Sequence, residues 1–413
     1  MQNTMNIQKL YEKIDSYKDE SIKMQEELTA IPALSPDSDG DGELKKAELI
    51  KKYMDKLRYD SFEEYNAPDE RVSSGIRPNH IYRFKGEDSE RTVWIMAHFD
   101  IVPPGEASHW DTDPYKVKAD GDFIYGRGVE DNQQGMISAM LAVKALKEQG
   151  LKPKYDTAFL FISDEETGSK YGIQYLLEQN PDIFKKEDLM VIPDAGNEDG
   201  TMIEVAEKSI IWFKFKVIGK QTHGSRPYGG INAFKAGSIL VTKLYELNKI
   251  FGKSDPIFDP PESTFEPTKK EANVPNINTI PGEDVFCYDC RILPDYNIQD
   301  VLAEVDKMCK EVEKEEGVKI SYETPQKEQA APATPADCQL VKSLAKAVKE
   351  VTGFSAKPMG IGGGTVAAYI RRKHIPAVVW FTRDATGHQP NESCRISHML
   401  SDAKVFVNLF INL

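Results

Sequence analysis

Cysteine is scarce, with five thiols in 413 residues at positions 287, 290, 309, 338 and 394. So few, odd in number and scattered, they suit a reducing compartment better than a disulfide framework. Cys287 and Cys290 form a C-x-x-C, but no second pair exists to complete a zinc site, and VFCYDCRI reads as a strand that packs them. Long apolar runs are also missing. No window approaches the roughly 18 apolar residues that a bilayer span needs, and MQNTMNIQKLYEK lacks the basic start and apolar core of a secretory signal, so a cytoplasmic location is expected. Positive charge is in deficit, with 52 basic against 66 acidic residues and a net charge of −14. That balance gives no electrostatic reason to approach phosphate backbones or anionic lipid, so neither nucleic acid nor a membrane is an expected partner.

What remains is globular, at 40% apolar and 29% charged residues, and long enough for two domains. The spacing of Ile7, Leu10, Tyr11, Ile14, Tyr17, Ile22, Met24 and Leu28 predicts one helix over about 5–28, and a second should run over 43–57. Four short apolar runs follow, TVWIMAHFD (92–100), DTAFLFISDEE (156–166), DLMVIPDAG (188–196) and AVVWFTRDATGH (377–388), each ending in polar residues. Buried strands of a mainly parallel sheet look like this. With helical stretches at 133–149 and 170–179 between them, the expected class is α/β, with helices on both faces of the sheet. The middle of the chain reads differently. A strand at 210–219, a helix over 231–250, strands at 276–281 and 284–293, a helix at 298–315 and a strand at 318–324 make a βαββαβ module, with 251–275 as a long loop. The expected division is a discontinuous domain of 1–207 and 325–413 carrying the chemistry, with 208–324 inserted as a smaller α+β domain.

Open α/β sheets place their binding crevices beyond the carboxyl ends of their strands. His98 and Asp100 follow WIMA, Glu165 and Glu166 follow FLFIS, Asp194 follows MVIP, and His388 lies in the loop after VVWF. Asp131 sits in the turn GRGVEDNQQG that opens a helix. Singly, each has an ordinary reading: a packed histidine, a solvated turn, a helix cap. Together, two histidines and several carboxylates on one sheet edge are the nitrogen and oxygen donors that two neighbouring metal ions need, zinc first, with cobalt or manganese as alternatives.

The ordered set H-x-D, G-R-G-x-x-D, D-E-E-T-G, P-D-A-G and G-H-x-x-N-E resembles the cocatalytic zinc hydrolases that include aminoacylase, acetylornithine deacetylase, succinyl-diaminopimelate desuccinylase, the folate-cleaving glutamate carboxypeptidase and zinc di- and tripeptidases. The spacings are similar too: Asp131 follows His98 by 33 positions, Glu166 follows Asp131 by 35, and Asp194 follows Glu166 by 28. The resemblance spans about 20–410 and implies a dinuclear site. Asp131 would bridge, His98 and Asp194 would complete one ion's shell, and Glu166 and His388 the other's. Asp100 would orient a ligand histidine, and the peptide Asp131–Asn132 would be cis. Two ions would acidify a shared water and polarise the scissile carbonyl, with Glu165 as the general base that hands the proton to the leaving amine.

In the inserted domain the resemblance makes His223 an oxyanion donor in a partner subunit's site, which implies a homodimer joined through that domain. Asn278 and Arg291, in N-x-I-P and D-x-R elements, would contact a substrate carboxylate. The run GIGGGT (360–365) is no P-loop, since no GK[ST] follows; Gly363 and Gly364 resemble the family loop whose N–H groups bind that carboxylate. The expected substrate is a small peptide or N-acyl amino acid. The subclass stays open between an N-acyl-amino-acid deacylase and a di- or carboxypeptidase, and Gln133 and Gln134, which depart from the commoner form of the GRG turn, bear on that choice. The competing reading is a non-catalytic, ligand-binding relative of this fold, disfavoured because the base and all five ligands are present.

One motif points elsewhere. DSDGDGELKKAE matches a calcium loop with Asp37, Asp39, Asp41 and Glu48 at ligand positions. No helix enters it and no second loop pairs with it, so an acidic cap on the helix that follows is the favoured reading.

Overall fold

The computed structural model describes residues 2–413, with side chains from Ile7 onward. It divides into two compact units, one holding the chain up to Val205 with Thr334–Pro358 and Tyr369–Leu413, the other Ala206–Ala333 with Met359–Ala368. Met359–Ala368, expected with the larger piece, groups with the smaller unit. Its bonds explain this: Lys208 N–H donates to the Ile361 carbonyl at 3.0 Å, Thr365 N–H donates to Glu207 at 2.9 Å, and Arg291 donates to the Gly362 carbonyl at 2.8 Å.

The larger unit is built on a sheet in the order Ser61–Pro68, Ile76–Phe84, Tyr155–Ile162, Asp88–His98, Leu189–Asn197, Ala377–Thr382, Met202–Glu207 and Lys357–Ile361. Its four central strands, Tyr155–Ile162 to Ala377–Thr382, run parallel. They are the four apolar runs read from the sequence. Residues 93–98 and 157–162 are buried without alternation, as expected for strands covered on both faces. Helices Gly135–Glu148 and Ile396–Asn412, mostly buried, pack against each other in this layer. The hairpin of Ser61–Pro68 with Ile76–Phe84 is antiparallel, and its apolar residues are too irregularly broken by polar ones to have stood out as strands.

The helix expected over 5–28 is two, Gln2–Asp15 and Lys18–Thr29. Ser16 breaks it: its hydroxyl donates back to the Lys13 carbonyl at 2.6 Å, a local bond that competes with helix continuation.

In the smaller unit, Thr264–Lys270, Glu283–Ile292, Ser209–Ile218 and Lys319–Glu328 form an antiparallel sheet in that order. Helices Ala233–Leu244 and Ile298–Glu316 cover one face, where Phe213, Phe215, Phe286, Leu240 and Val305 share a core. The βαββαβ order holds with one strand exchanged. Thr264–Lys270, read as loop, is an edge strand with a bulge between Pro267 and Lys269, a position that tolerates proline's missing N–H. The expected strand at 276–281 shrinks to Thr279–Ile280, which pairs with Thr222–His223.

All five cysteines are free. Among the described residues no helix is long and apolar enough to cross a membrane.

The calcium option at 37–48, disfavoured from the sequence, finds no support, and the favoured acidic cap is corrected, since Glu43 stands at the N-cap of Leu44–Leu57 without a side-chain cap bond. Asp37 accepts from Arg71 at 2.9 Å, and Asp41 accepts from the Ser73 N–H and hydroxyl at 2.7 and 2.6 Å. Among the described residues these carboxylates are not gathered into a cation-sized group. The stretch supplies Glu43 instead, fully buried and paired with Arg77. Arg77 also reaches Asp69 and Asp164, each at 3.4 Å, so this network braces the turn in front of Glu165.

Candidate metal centre

His98 ends its strand with the imidazole buried and held from behind. Nδ1 lies 3.0 Å from the Asp100 carbonyl and 3.4 Å from its carboxylate. The same carboxylate accepts the N–H of Glu165 at 3.1 Å and of Glu166 at 3.0 Å. One buried aspartate thus fixes both a histidine ring and the turn that follows the neighbouring strand, which is why Asp100 and the Glu165–Glu166 pair stand together.

The other face of His98 points to carboxylates. Nε2 is 3.1 Å from Asp131 Oδ1 and 3.7 Å from Asp194 Oδ1. Asn132, whose peptide with Asp131 is cis, donates from Nδ2 to the Pro193 carbonyl at 2.6 Å and to Asp194 Oδ1 at 3.2 Å. His388 Nε2 lies 3.4 Å from the second oxygen of Asp131, Oδ2, and 3.1 Å from Glu166 Oε2. Two groups result, His98–Asp131–Asp194 and Asp131–Glu166–His388, each with its candidate ligand atoms within 4.8 Å of one another. Asp131 belongs to both and gives one oxygen to each. Glu165 belongs to neither.

Sequence reading passed over three residues that shape these loops. Glu130, beside Asp131, is fully buried and accepts the backbone N–H groups of Asp384, Thr386 and Gly387. Arg383 donates to Glu130 at 3.1 Å and to the Asp194 carbonyl at 3.0 Å. Glu392 accepts from the N–H groups of Gly128, Glu130 and Asp131. It stands in the G-H-x-x-N-E element and could have been flagged there; Glu130 and Arg383 carried no signal of their own. Gly387 lies in close approach, because a Cβ there would sit 2.8 Å from the Arg383 guanidinium and 3.2 Å from Asp131 Oδ2 and would press on both.

The charges fit a cation pair. Burial raises the Glu165 carboxyl well above the usual range, with the charge of Asp194 adding to it, and burial lifts Glu166 to about 7 against the hydrogen bond to His388. Burial works against a charged His98, yet its bonds to Asp100, Asp131 and Asp194 outweigh that and raise its pKa well above the ordinary value. Bonds to Asp131 and Glu166 raise His388 to about 10. In the ion-free chain two imidazolium groups therefore stand between carboxylates where cations would neutralise them. Uptake of ions at pH 7 should release about two to three protons per chain, since both ligand imidazoles must be neutral and Glu166, near half-protonated at that pH, must ionise. Affinity should climb as pH rises toward about 10, where His388 loses its proton unaided. Calorimetry in two buffers of different ionisation enthalpy counts those protons; ion binding with no proton release contradicts this charge state.

The other expected site residues lie in the smaller unit. His223 faces Thr279 in register, and the Asn278 carbonyl accepts the Gly224 N–H at 2.6 Å. Arg291 is gripped by Asp289 at 2.6 and 2.9 Å and bonds to the Gly362 carbonyl. Gly363 and Gly364 face open space, with nothing within 4 Å of an added Cβ.

The model of peptidase family M20/M25/M40 matches residues 94–412. The chain belongs to this family. It is thus an enzyme of the metallohydrolase and peptidase class. Within M20/M25/M40 it is similar to an uncharacterised metallohydrolase of Methanocaldococcus jannaschii, 40% identical over 95% of this chain and 98% of the relative. A succinyl-diaminopimelate desuccinylase of Nautilia profundicola is 26% identical over 90% of this chain and 93% of its own length. The fold matches aminopeptidase PepT of Bacillus cereus at a TM-score of 0.74 and 17% identity, covering 95% and 98% of the two chains. It also matches the Bacillus subtilis YXEP protein, described as a dinuclear metal-binding M20 peptidase, at a TM-score of 0.65 and 16% identity over 96% and 98%.

Proposed function

We propose that this chain is a dinuclear hydrolase that cleaves a peptide or N-acyl amide bond in a small, carboxylate-bearing substrate, with Glu165 as general base. One observation carries the reading: the two oxygens of Asp131 are divided between two donor groups, while the half-buried Glu165 is left out of both. His98 and Asp194 would hold one ion, Glu166 and His388 the other, and Asp131 both. All donors are nitrogen or oxygen, which suits zinc and admits cobalt or manganese. Bound there, the ions would lower the pKa of a water and polarise the scissile carbonyl.

The chain's own residues supply the rest. Asp100 is a positioning residue, orienting His98 and the N–H groups of Glu165 and Glu166. Glu165 accepts the proton of the attacking water as the C–O bond forms, and returns it to the amine nitrogen as the C–N bond breaks. At His223, the Ser225 N–H donates to Nδ1 at 3.1 Å, which puts the proton of the neutral ring on Nε2, ready to be donated to an oxyanion. Arg291, Asn278, Gly363 and Gly364 would take the substrate's carboxylate.

A homodimer joined through the smaller unit is part of the proposal. Among the described residues, seven of the eight exposed large apolar side chains, Trp212, Phe234 and Tyr245 among them, lie in that unit, an uneven share that supports an interface there. Light scattering should find a dimer.

Hydrolysis of N-acetyl amino acids, N-succinyl amino acids, dipeptides and tripeptides by zinc-, cobalt- and manganese-loaded protein tests the activity and separates deacylase from peptidase. Turnover of at least one class, abolished by chelator, is expected. Two ions bound with no turnover of any amide would favour the non-catalytic relative instead.

A further inference from the structure

We propose that Glu130 and Glu392 form a reciprocal clamp between the loops bearing Asp131 and His388, and that Glu130 thereby governs occupancy of the second ion position. This rests on the dinuclear reading above. Glu130 Oε2 accepts from the N–H groups of Thr386 and Gly387, each at 2.7 Å, and from Arg383 at 3.1 Å. Its Oε1 accepts the Asp384 N–H at 2.8 Å. Glu392 does the converse. Its Oε2 accepts from the Gly128 N–H at 2.9 Å and Arg127 at 2.6 Å, and its Oε1 from the N–H groups of Glu130 and Asp131 at 2.9 and 3.0 Å. Each carboxylate comes from one loop and is bound by the backbone of the other. Both are fully buried, and charge-assisted bonds of this kind are the strong, orienting ones.

The His388 loop needs such a device. No strand or helix lies between Thr382 and Ser393. Ala385 and His388 adopt φ of 58° and 65°, a left-handed conformation uncommon in residues other than glycine. The His388 side chain is 56% exposed, so packing does little to fix it, and its place is set by the backbone that Glu130 holds. His98, by contrast, ends a buried strand. Loosening the clamp should therefore weaken the Asp131–Glu166–His388 group and spare His98–Asp131–Asp194, since Glu392 still anchors the Asp131 N–H.

Equilibrium dialysis of the full chain against buffered free zinc, with bound metal counted by elemental analysis, tests this on wild type, Glu130→Ala and Glu130→Gln. Wild type should take up two equivalents. Glu130→Ala should keep one at wild-type affinity and bind the second about tenfold or more weakly, the range found for outer-shell partners. Glu130→Gln retains one acceptor oxygen and should fall between them; it carries the test if the alanine variant does not fold. Two equivalents at wild-type affinity in both variants overturn the clamp's role, as does equal weakening of both ions in a cooperatively folded Glu130→Gln protein. Fewer than two equivalents in wild type overturns the dinuclear reading itself, and is seen before any variant is compared.

Discussion

Replacing Glu165 by alanine should leave both ions bound and cut turnover by roughly a hundred- to ten-thousand-fold, the range for loss of a positioned general base. The two halves of that expectation have separate structural grounds. Glu165 lies outside both donor groups, so its removal takes no ligand from either ion. Its backbone N–H, held by Asp100, stays in place when the side chain goes, so Glu166 next door keeps its position. Glu165→Gln should behave alike, because an amide preserves shape without accepting a proton. Stopped assays with metal counted on the same samples read both halves. Near-normal turnover removes Glu165 from the mechanism; loss of an ion makes it a ligand instead.

Asp131→Ala should have the largest effect on metal binding. It is the one residue common to both groups, with Oδ1 facing His98 and Oδ2 facing His388. Its loss should weaken both ions by more than about 100-fold, beyond the effect of an outer-shell partner, and take turnover to background. His388→Ala, which reaches one group alone, should lower one ion's affinity and spare the other. Zinc should raise the melting temperature of wild type, since a ligand that binds only the folded chain stabilises it. The same zinc concentration should leave Asp131→Ala unmoved. If the alanine variant melts with the wild-type zinc response, Asp131 does not bridge.

These expectations lean on residues the sequence made legible, and it is instructive which were not. The four central strands stand out because both faces are covered and apolar residues run without alternation. The ligands stand out because they follow those strands. The edges of the structure lack such signals: Thr264–Lys270 carries Pro267 and three charged residues, and the hairpin Ser61–Pro68 with Ile76–Phe84 breaks its apolar residues with charged and polar ones in no regular alternation. Glu130 and Glu392 were illegible as a pair for another reason. They meet across 262 positions of sequence, and a glutamate beside a ligand reads as an ordinary turn residue until the opposite loop is in view. Asp37–Glu48 shows the reverse case, a complete motif whose Asp37 and Asp41 serve Arg71 and Ser73 instead. A pattern specifies residue types; what else the chain brings within reach decides their use.

The most direct measurement is anomalous diffraction at the zinc edge from crystals of the zinc-loaded full chain. Two peaks flanking Asp131 are expected, one bounded by His98 and Asp194 and the other by Glu166 and His388, with Glu165 bound to neither. A single peak, or peaks that do not share Asp131, would contradict this Asp131-bridged pair.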